Sequence, residues 1–299
     1  MRILVPVDGS RYSRAAAEFI ASRTTLLGSD PQVQLLNVQL PIPVRAARVV
    51  GKDVVHSYYD DEAAKALKGA ASTLKKAGLP ASSEWLVGHP AEEIAAAAER
   101  GKVDLIVMGS HGHGALAGLV LGSVTNAVLA RTKRPLLVLR DGRAPKGDSL
   151  RLAVALDGSK FGREAARFVL RHRDLFGAQP QVTLLHVAPD FAGAVMPDMA
   201  GIALPAFSPQ EIEAMQTKAY EAAVAPVRKL FTKAGMPFRE ARLAGSPGDE
   251  ISAYAKKSKL DVVVMGSHGY GAFKQAVLGS VATRVTAHCR TPVLLVRDA

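Results

Sequence analysis

Apolar residues in this chain alternate between short continuous runs and longer stretches where they recur every three or four positions. Residues 2–7 (RILVPV) form the first run, and Asp8-Gly9-Ser10 then supplies turn chemistry and a helix N-cap before an amphipathic stretch ending near Leu27. A strand followed by a helix is expected. The same reading gives strands over Gln32 to Val38, Ser83 to Val87, Val103 to Met108 and Leu136 to Leu139. Helices are expected over Tyr58 to Ala77, closed by Gly78, over Ala91 to Arg100 and over Ser123 to Arg131.

The pattern then repeats. MRILVPVDGS (1–10) aligns with LRLAVALDGS (150–159) and QVQLLNV (32–38) with QVTLLHV (181–187) at an offset of 149, whereas MGSHGHGALAGLVLGSV (108–124) aligns with MGSHGYGAFKQAVLGSV (265–281) at 157. Eight residues are therefore inserted between the second and fourth strands of the second copy, and the Pro- and Met-rich segment 189–209 is their expected place. Two domains follow, residues 1–141 and 150–299, joined by a linker from Asp141 to Ser149. Ser208-Pro209-Gln210-Glu211 reads as a capping box with proline in the first helical position, opening a long helix that contains Pro226. A kink or a split into two helices is expected there.

Strands alternating with helices imply an α/β fold, a parallel sheet covered on both faces by right-handed crossovers. Periodicity does not give the strand order. If the first strand lies beside the fourth, connections diverge between them and a ligand crevice opens beyond their carboxyl ends, with Asp8 and Gly109 in it.

Composition narrows the class. The one cysteine, Cys289, excludes an intrachain disulfide framework and CxxC sites, so a cytoplasmic location is the expectation; it falls in an expected helix as a small packing residue. No apolar run reaches membrane-spanning length, and no leader pattern opens the chain. The net charge of +11 is spread over both halves and favours anions generally, but no basic helix is interleaved with aromatics. Nucleic acid is not the expected main partner.

The repeated glycine runs carry the candidate chemistry. Gly109 and Gly112 follow a strand directly, where missing side chains let an anion approach backbone amides; Gly122-Ser123 opens a helix whose first amides and dipole suit phosphate. Ser123, Val124 and Thr125 offer amides and hydroxyls. Gly266, Gly269, Gly279 and Ser280 repeat the spacing, and Asp8 and Asp157 hold matching positions after the first strand of each half, suited to ribose hydroxyls. The bland alternative is that these are turn and cap residues only. Other signatures fail. No GxxxxGK[ST], HExxH or GxSxG occurs; Gln275 stands where a dinucleotide pattern would need the counterpart of Gly118. A zinc cluster of His89, His111 and His113 is not repeated, since Ser246 and Tyr270 replace two of the three.

VPVDGS, LLNV, GHPAEEI and MGSHG…LGSV, with AVALDGS, LLHV, GSPGDEI and the second MGSHG…LGSV, resemble the universal stress protein family in tandem, ATP-binding form. That resemblance implies two Rossmann-like (adenine nucleotide alpha hydrolase-like) domains, each a five-stranded parallel sheet of order 3-2-1-4-5. It implies ATP, with or without Mg²⁺, held by Pro6, Asp8 and Val38 around the adenosine, the Val38 backbone meeting the adenine edge, and by Met108, Gly109, Gly112, Gly122, Ser123, Val124 and Thr125 around ribose and phosphates. The matching positions are Asp157, Val187, Met265, Gly266, Gly269, Gly279, Ser280 and Val281. Ala155 and Ala282 replace Pro6 and Thr125, which makes the second site the weaker expectation. The resemblance also implies an internal pseudo-twofold pairing through the fifth strands, with homodimerisation and an unidentified protein partner as further expectations.

Three functions stay open at this point: an ATP-binding stress-response regulator with little or no hydrolysis, a slow ATPase or phosphotransferase, and a non-nucleotide interaction module using segments 41–57 and 189–209 as a lid or docking surface.

Overall fold

The computed structural model describes the chain apart from residues 25, 28–29, 113–120, 141, 143, 189–194, 198–202, 206, 270–277 and 298–299. His113, Tyr270, Gly118, Gln275 and much of the Pro- and Met-rich segment therefore lie outside the described residues. The first half runs β1 (Arg2–Pro6), α1 (Arg11–Ala21), β2 (Gln32–Gln39), α2 (Val44–Val50), α3 (Lys52–Lys76), β3 (Ala81–Val87), α4 (Pro90–Arg100), β4 (Leu105–Gly109), α5 (Ser123–Arg131) and β5 (Leu136–Leu139). The second runs β6 (Arg151–Ala155), α6 (Lys160–Arg171), a 3₁₀ turn (Arg173–Phe176), β7 (Gln181–Ala188), β8 (Val195–Pro197), β9 (Ala203–Pro205), α7 (Pro209–Lys233), β10 (Phe238–Ala244), α8 (Pro247–Lys257), β11 (Val262–Gly266), α9 (Ser280–His288) and β12 (Val293–Val296).

Ten of these strands form one sheet of order β10-β7-β6-β11-β12-β5-β4-β1-β2-β3. Within each half the order is 3-2-1-4-5 and every pairing is parallel. Helices α1, α3, α6 and α7 cover one face through a cluster that includes Phe19, Leu74, Val169 and Phe231; α4, α5, α8 and α9 cover the other through Ile94, Val128, Ile251 and Val285. Strands buried on both faces explain why β4 and β11 read as unbroken apolar runs, all five residues of each being buried.

The halves meet at β5 and β12, which pair antiparallel with Leu136 opposite Leu295, Leu137 opposite Leu294 and Val138 opposite Val293. Leu137 and Leu294 are equivalent positions of the repeat, so the pseudo-twofold axis passes between them. Two arginines repeat the symmetry. Arg140, 3% exposed, donates to the Thr286 carbonyl in the last turn of α9 at 3.0 Å, and its counterpart Arg297 donates to the Leu129 carbonyl of α5 at 3.0 Å and to Thr132 O. Each half thus supplies a cation to the negative end of a helix in the other. Burial holds the Arg297 guanidinium below its usual range.

Several expectations need correction. The segment taken as a loop, 41–57, is largely helical: α2 fills 44–50, and α3 begins at Lys52 instead of Tyr58, with Gly51 at φ +89° making the break between them. Leu40, Val44, Val49, Val50, Val54 and Tyr58 are exposed there, so the apolar spacing that marks a buried helix face is missing. Helix α7 continues through Pro226 without splitting, because Ala223, Val224 and Val227 anchor that turn in the core. Cys289 is the extended residue that follows α9, and burial pushes its thiol up, away from nucleophile chemistry. The capping box at Ser208 and Glu211 forms with both reciprocal bonds. Because α7 already stands at the later offset from α3, the insertion lies between β7 and α7, where β8 and β9 form an antiparallel pair.

Candidate nucleotide-binding crevice

A cavity of about 370 Å³ opens beyond the carboxyl ends of β1, β2 and β4, at the switch point of the first half. This volume falls in the small-molecule range of about 300–1,000 Å³. All ten first-half residues singled out in the sequence line it: Pro6, Asp8, Val38, Met108, Gly109, Gly112, Gly122, Ser123, Val124 and Thr125. Val7, Ser13, Leu36, Pro90, Ile94 and His111 complete the wall. Of these, Pro90 and Ile94 belong to the GHPAEEI run, whose approach to the crevice depends on how α4 crosses the sheet.

Backbone alternation turns Val38 toward the cavity. The Leu36 carbonyl accepts from Val7 N at 2.8 Å, so the backbone groups of Leu36 point toward β1, those of Asn37 toward β3, and those of Val38 toward β1 again. By then β1 has ended at Pro6. One amide and one carbonyl are left facing the space. The Asn37 side chain covers the Val7 carbonyl at 2.8 Å from the buried side of the strand.

Proline also shortens the ladder beside the cavity. Residue 6 points its backbone toward β4, and proline has no N–H to donate, so the β1–β4 ladder holds only Ile3–Leu105 and Leu4–Ile106. In the second half Ala155 stands at that position, and the ladder runs on to Ala155–Met265.

The described glycines of the run, Gly109, Gly112 and Gly122, are each held by close approach. A Cβ on Gly109 would lie 2.5 Å from Tyr12 Cβ and 2.8 Å from the Tyr12 carbonyl atoms, because α1 packs against that strand end. One on Gly112 would lie 2.6 Å from Asp8 Oδ2. Gly122 returns the chain by donating to Ser110 O at 2.8 Å and becomes the N-cap of α5, whose first intrahelical bond comes from Asn126 N. The amides of Ser123, Val124 and Thr125 precede that bond and have no intrahelical acceptor. They point out of the helix at its positive end, into the cavity that these residues line.

The Thr125 hydroxyl behaves differently from expectation. Thr125 is 2% exposed, and its Oγ1 donates to Gly109 O at 3.0 Å, bracing the strand end against the helix start. Its proton is not directed at a phosphate. Asp8 accepts from Ser10 N through Oδ1 at 3.0 Å and is the one carboxylate among the described lining residues, which include no lysine or arginine. His111 is bonded through Nδ1 to Ser110 Oγ at 2.9 Å and stands 5.3 Å from the Tyr12 ring, over which the Arg11 guanidinium lies at 4.8 Å.

The second half repeats this geometry. Hypothetical Cβ atoms on Gly266 and Gly269 would each lie 2.5 Å from their neighbours, Phe161 Cβ and Asp157 Oδ2, and Gly279 donates to Ser267 O at 2.8 Å before Ser280 and Val281 open α9. His268, Phe161 and Lys160 form the corresponding ring and cation stack. Val187 is the penultimate residue of β7 as Val38 is of β2, with the Leu185 carbonyl taken by Leu156 N and His186 Nδ1 on Leu156 O. Met265 is buried at the end of β11. Besides Ala155, the difference is Ala282, which cannot supply the hydroxyl brace.

Among the described residues no group of three or more metal-ligating side chains is gathered, and no helix is long and apolar enough to cross a membrane.

Comparison with known proteins matches the sequence model of the Universal stress protein family to residues 1–140 and again to 150–297. A universal stress protein of Mycolicibacterium smegmatis is 27% identical over 99% of this chain and 96% of its own length. One from Synechocystis is 33% identical over 46% of this chain and 42% of its own. A crystal structure of a universal stress protein from Archaeoglobus fulgidus superposes with a TM-score of 0.69 at 23% identity, covering 100% of this chain and 98% of that one.

Proposed function

The chain belongs to the universal stress protein family, with a stress-response role, and from that premise we propose that its first half binds ATP and acts as a nucleotide-dependent regulator with little or no hydrolysis. The observation that carries this reading is the convergence, in one cavity, of the Val38 backbone edge, the Asp8 carboxylate and the three leading amides of α5. These suit the three parts of a nucleotide. The backbone edge can pair with a base, the carboxylate can accept from ribose hydroxyls, and the amides with the helix dipole can hold phosphate oxygens. Binding without turnover follows from what the wall lacks: one carboxylate among the described lining residues is too few to hold a metal and also orient a water for in-line attack. Mg²⁺ would arrive on the phosphates, and Asp8, the one carboxylate among the described lining residues, is the group that would help hold it. The second crevice, without the proline and the threonine, is the weaker site in this reading.

Native mass spectrometry of the freshly purified chain, followed by calorimetric titration of ATP, tests it. One tight equivalent and one weaker equivalent are expected. The absence of both co-purified nucleotide and heat of binding at millimolar ATP would remove the proposal, and turnover that is lost in Asp8→Ala would replace it with the ATPase reading.

A further inference from the structure

At the opposite edge of the sheet from the crevices, the amino ends of β6, β7 and β10 border a groove of about 970 Å³. Its lining includes Arg151, Arg173 and Arg239 together with the partly exposed rings of Phe238 and Tyr254. Helix α8, which supplies Tyr254, ends in Lys256 and Lys257, and Lys259 lies between the lining residues Ser258 and Leu260. Two carboxylates answer this charge, Asp261 on Arg151 at 3.3 Å and Asp174 on Arg173 at 3.6 Å. Arg239, Lys256, Lys257 and Lys259 form no ion pair among the described residues.

The first half provides an internal control. Its equivalent groove, about 630 Å³ at the amino ends of β1, β2 and β3, is lined by Arg2, Pro31, Gln32, Val33, Ala81 and Ser82 among others. Five positions differ in one direction: Thr24, Ala81, Ser82, Ala97 and Glu99 stand where the second half has Arg173, Phe238, Arg239, Tyr254 and Lys256. Phe238 and Tyr254 pack in part against the core, whereas the exposed Arg239 and Lys256 do not, so packing does not ask for these two cations. Two aromatic rings and three cations have been gained on one edge of one half.

We propose that this groove binds a single strand of nucleic acid. Unneutralised cations along a groove follow a phosphate backbone, and aromatic walls stack bases without regard to sequence. Both features are present at the sheet edge: Arg239 follows Phe238 on β10, and Lys256, Lys257 and Lys259 follow Tyr254 within five residues at the groove's margin. The Phe231 ring, edge-on at 5.8 Å, supports the Phe238 ring from behind. An anionic membrane is the other charged surface that a basic patch could meet, but a concave site with ringed walls suits a strand better than a lipid plane. The inference is independent of the nucleotide crevice, which shares none of these residues.

Fluorescence anisotropy with labelled oligodeoxythymidylate of about twelve nucleotides tests it in the full-length chain. Binding should weaken as salt rises, with a slope of about −0.7 per phosphate contact. Restoring the first-half residues in Arg239→Ser/Lys256→Glu should lower affinity about tenfold or more and flatten the slope by about 1.4. Tyr254→Leu, which keeps the packing volume, should weaken binding about fivefold with the slope unchanged. Saturating ATP should leave the titration as it is. The proposal is overturned if the wild type does not bind at low salt, if both variants bind as the wild type does, if ATP displaces the oligonucleotide, or if phosphatidylserine vesicles sediment the protein while the oligonucleotide does not bind.

Discussion

Replacing Thr125 by valine separates two roles that the sequence leaves joined. Thr125 is 2% exposed, and valine matches it in shape but lacks the hydroxyl that donates to Gly109 O at 3.0 Å. Losing such a bond costs about 0.5–1.5 kcal/mol, and a buried carbonyl left without its donor raises the figure to about 1–3 kcal/mol. For a chain of this size that is a fall in melting temperature of about 2–4 °C per kcal/mol. Nucleotide affinity should change by less than about threefold, since the Thr125 amide stays in place and the hydroxyl proton is taken by Gly109 O. Thr125→Ser, which keeps the donor, should recover most of the stability. Differential scanning fluorimetry and calorimetric ATP titration on the three proteins decide the matter. A tenfold loss of affinity, about 1.4 kcal/mol, with an unchanged melting temperature would refute the reasoning and assign the hydroxyl to the phosphate.

Other outcomes follow from the same geometry. Gly109→Ala places a Cβ 2.5 Å from Tyr12 Cβ and 2.8 Å from its backbone, so α1 must shift, and denaturant melts should show a loss at or above the about 1–3 kcal/mol typical of overpacking; Gly69→Ala, with nothing nearer than 3.8 Å in mid-helix, should instead gain about 0.5–1 kcal/mol. Pro6→Ala restores a ladder donor and should close the crevice mouth toward the second-half form, lowering ATP affinity about threefold to tenfold, which calorimetry would show; unchanged affinity would mean that ladder length does not shape the site. Burial lowers the His172 pKa from its usual value, more than Asp104 across the domain seam raises it. The folded state therefore favours the neutral ring, its contribution is complete above the unfolded value of about 6.5 and is lost as pH falls through the lower folded value. Melting temperatures between about pH 7.5 and 5 should fall more for the wild type than for His172→Gln, and parallel profiles would dismiss the effect.

What could be read from the chain depended on how local the cause was. The glycine spacing is local, and so is the capping box at Ser208; both describe backbone that must turn or end within a few residues. The order of strands is not local, and it came from the family resemblance, because apolar period is blind to which strand lies beside which. Helix α2 escaped notice because none of its residues is buried, so the chain carries no apolar stripe to mark it. Thr125 was read as a ligand group because a hydroxyl after Gly-Ser has the right chemistry; only the packing of α5 on the end of β4 shows where the proton goes. The basic groove was invisible for a related reason. Phe238-Arg239 and Tyr254 to Lys259 each set a ring near a cation in the chain, but those two segments, Arg151 and Arg173 reach one edge only when β6, β7, β10 and α8 are assembled.

The antiparallel seam between β5 and β12 has a consequence beyond joining two sheets. Identical subunits meeting at such a seam would have to carry every change twice, and their union would depend on concentration. Placing both sides in one chain makes the encounter intramolecular and frees each half to vary alone. Pro6 and Thr125 can then shape one crevice while Ala155 and Ala282 leave the other plainer, and one lower edge can gather charge while its twin stays nearly neutral. The seam holds the symmetry of the backbone constant so that the side chains need not obey it.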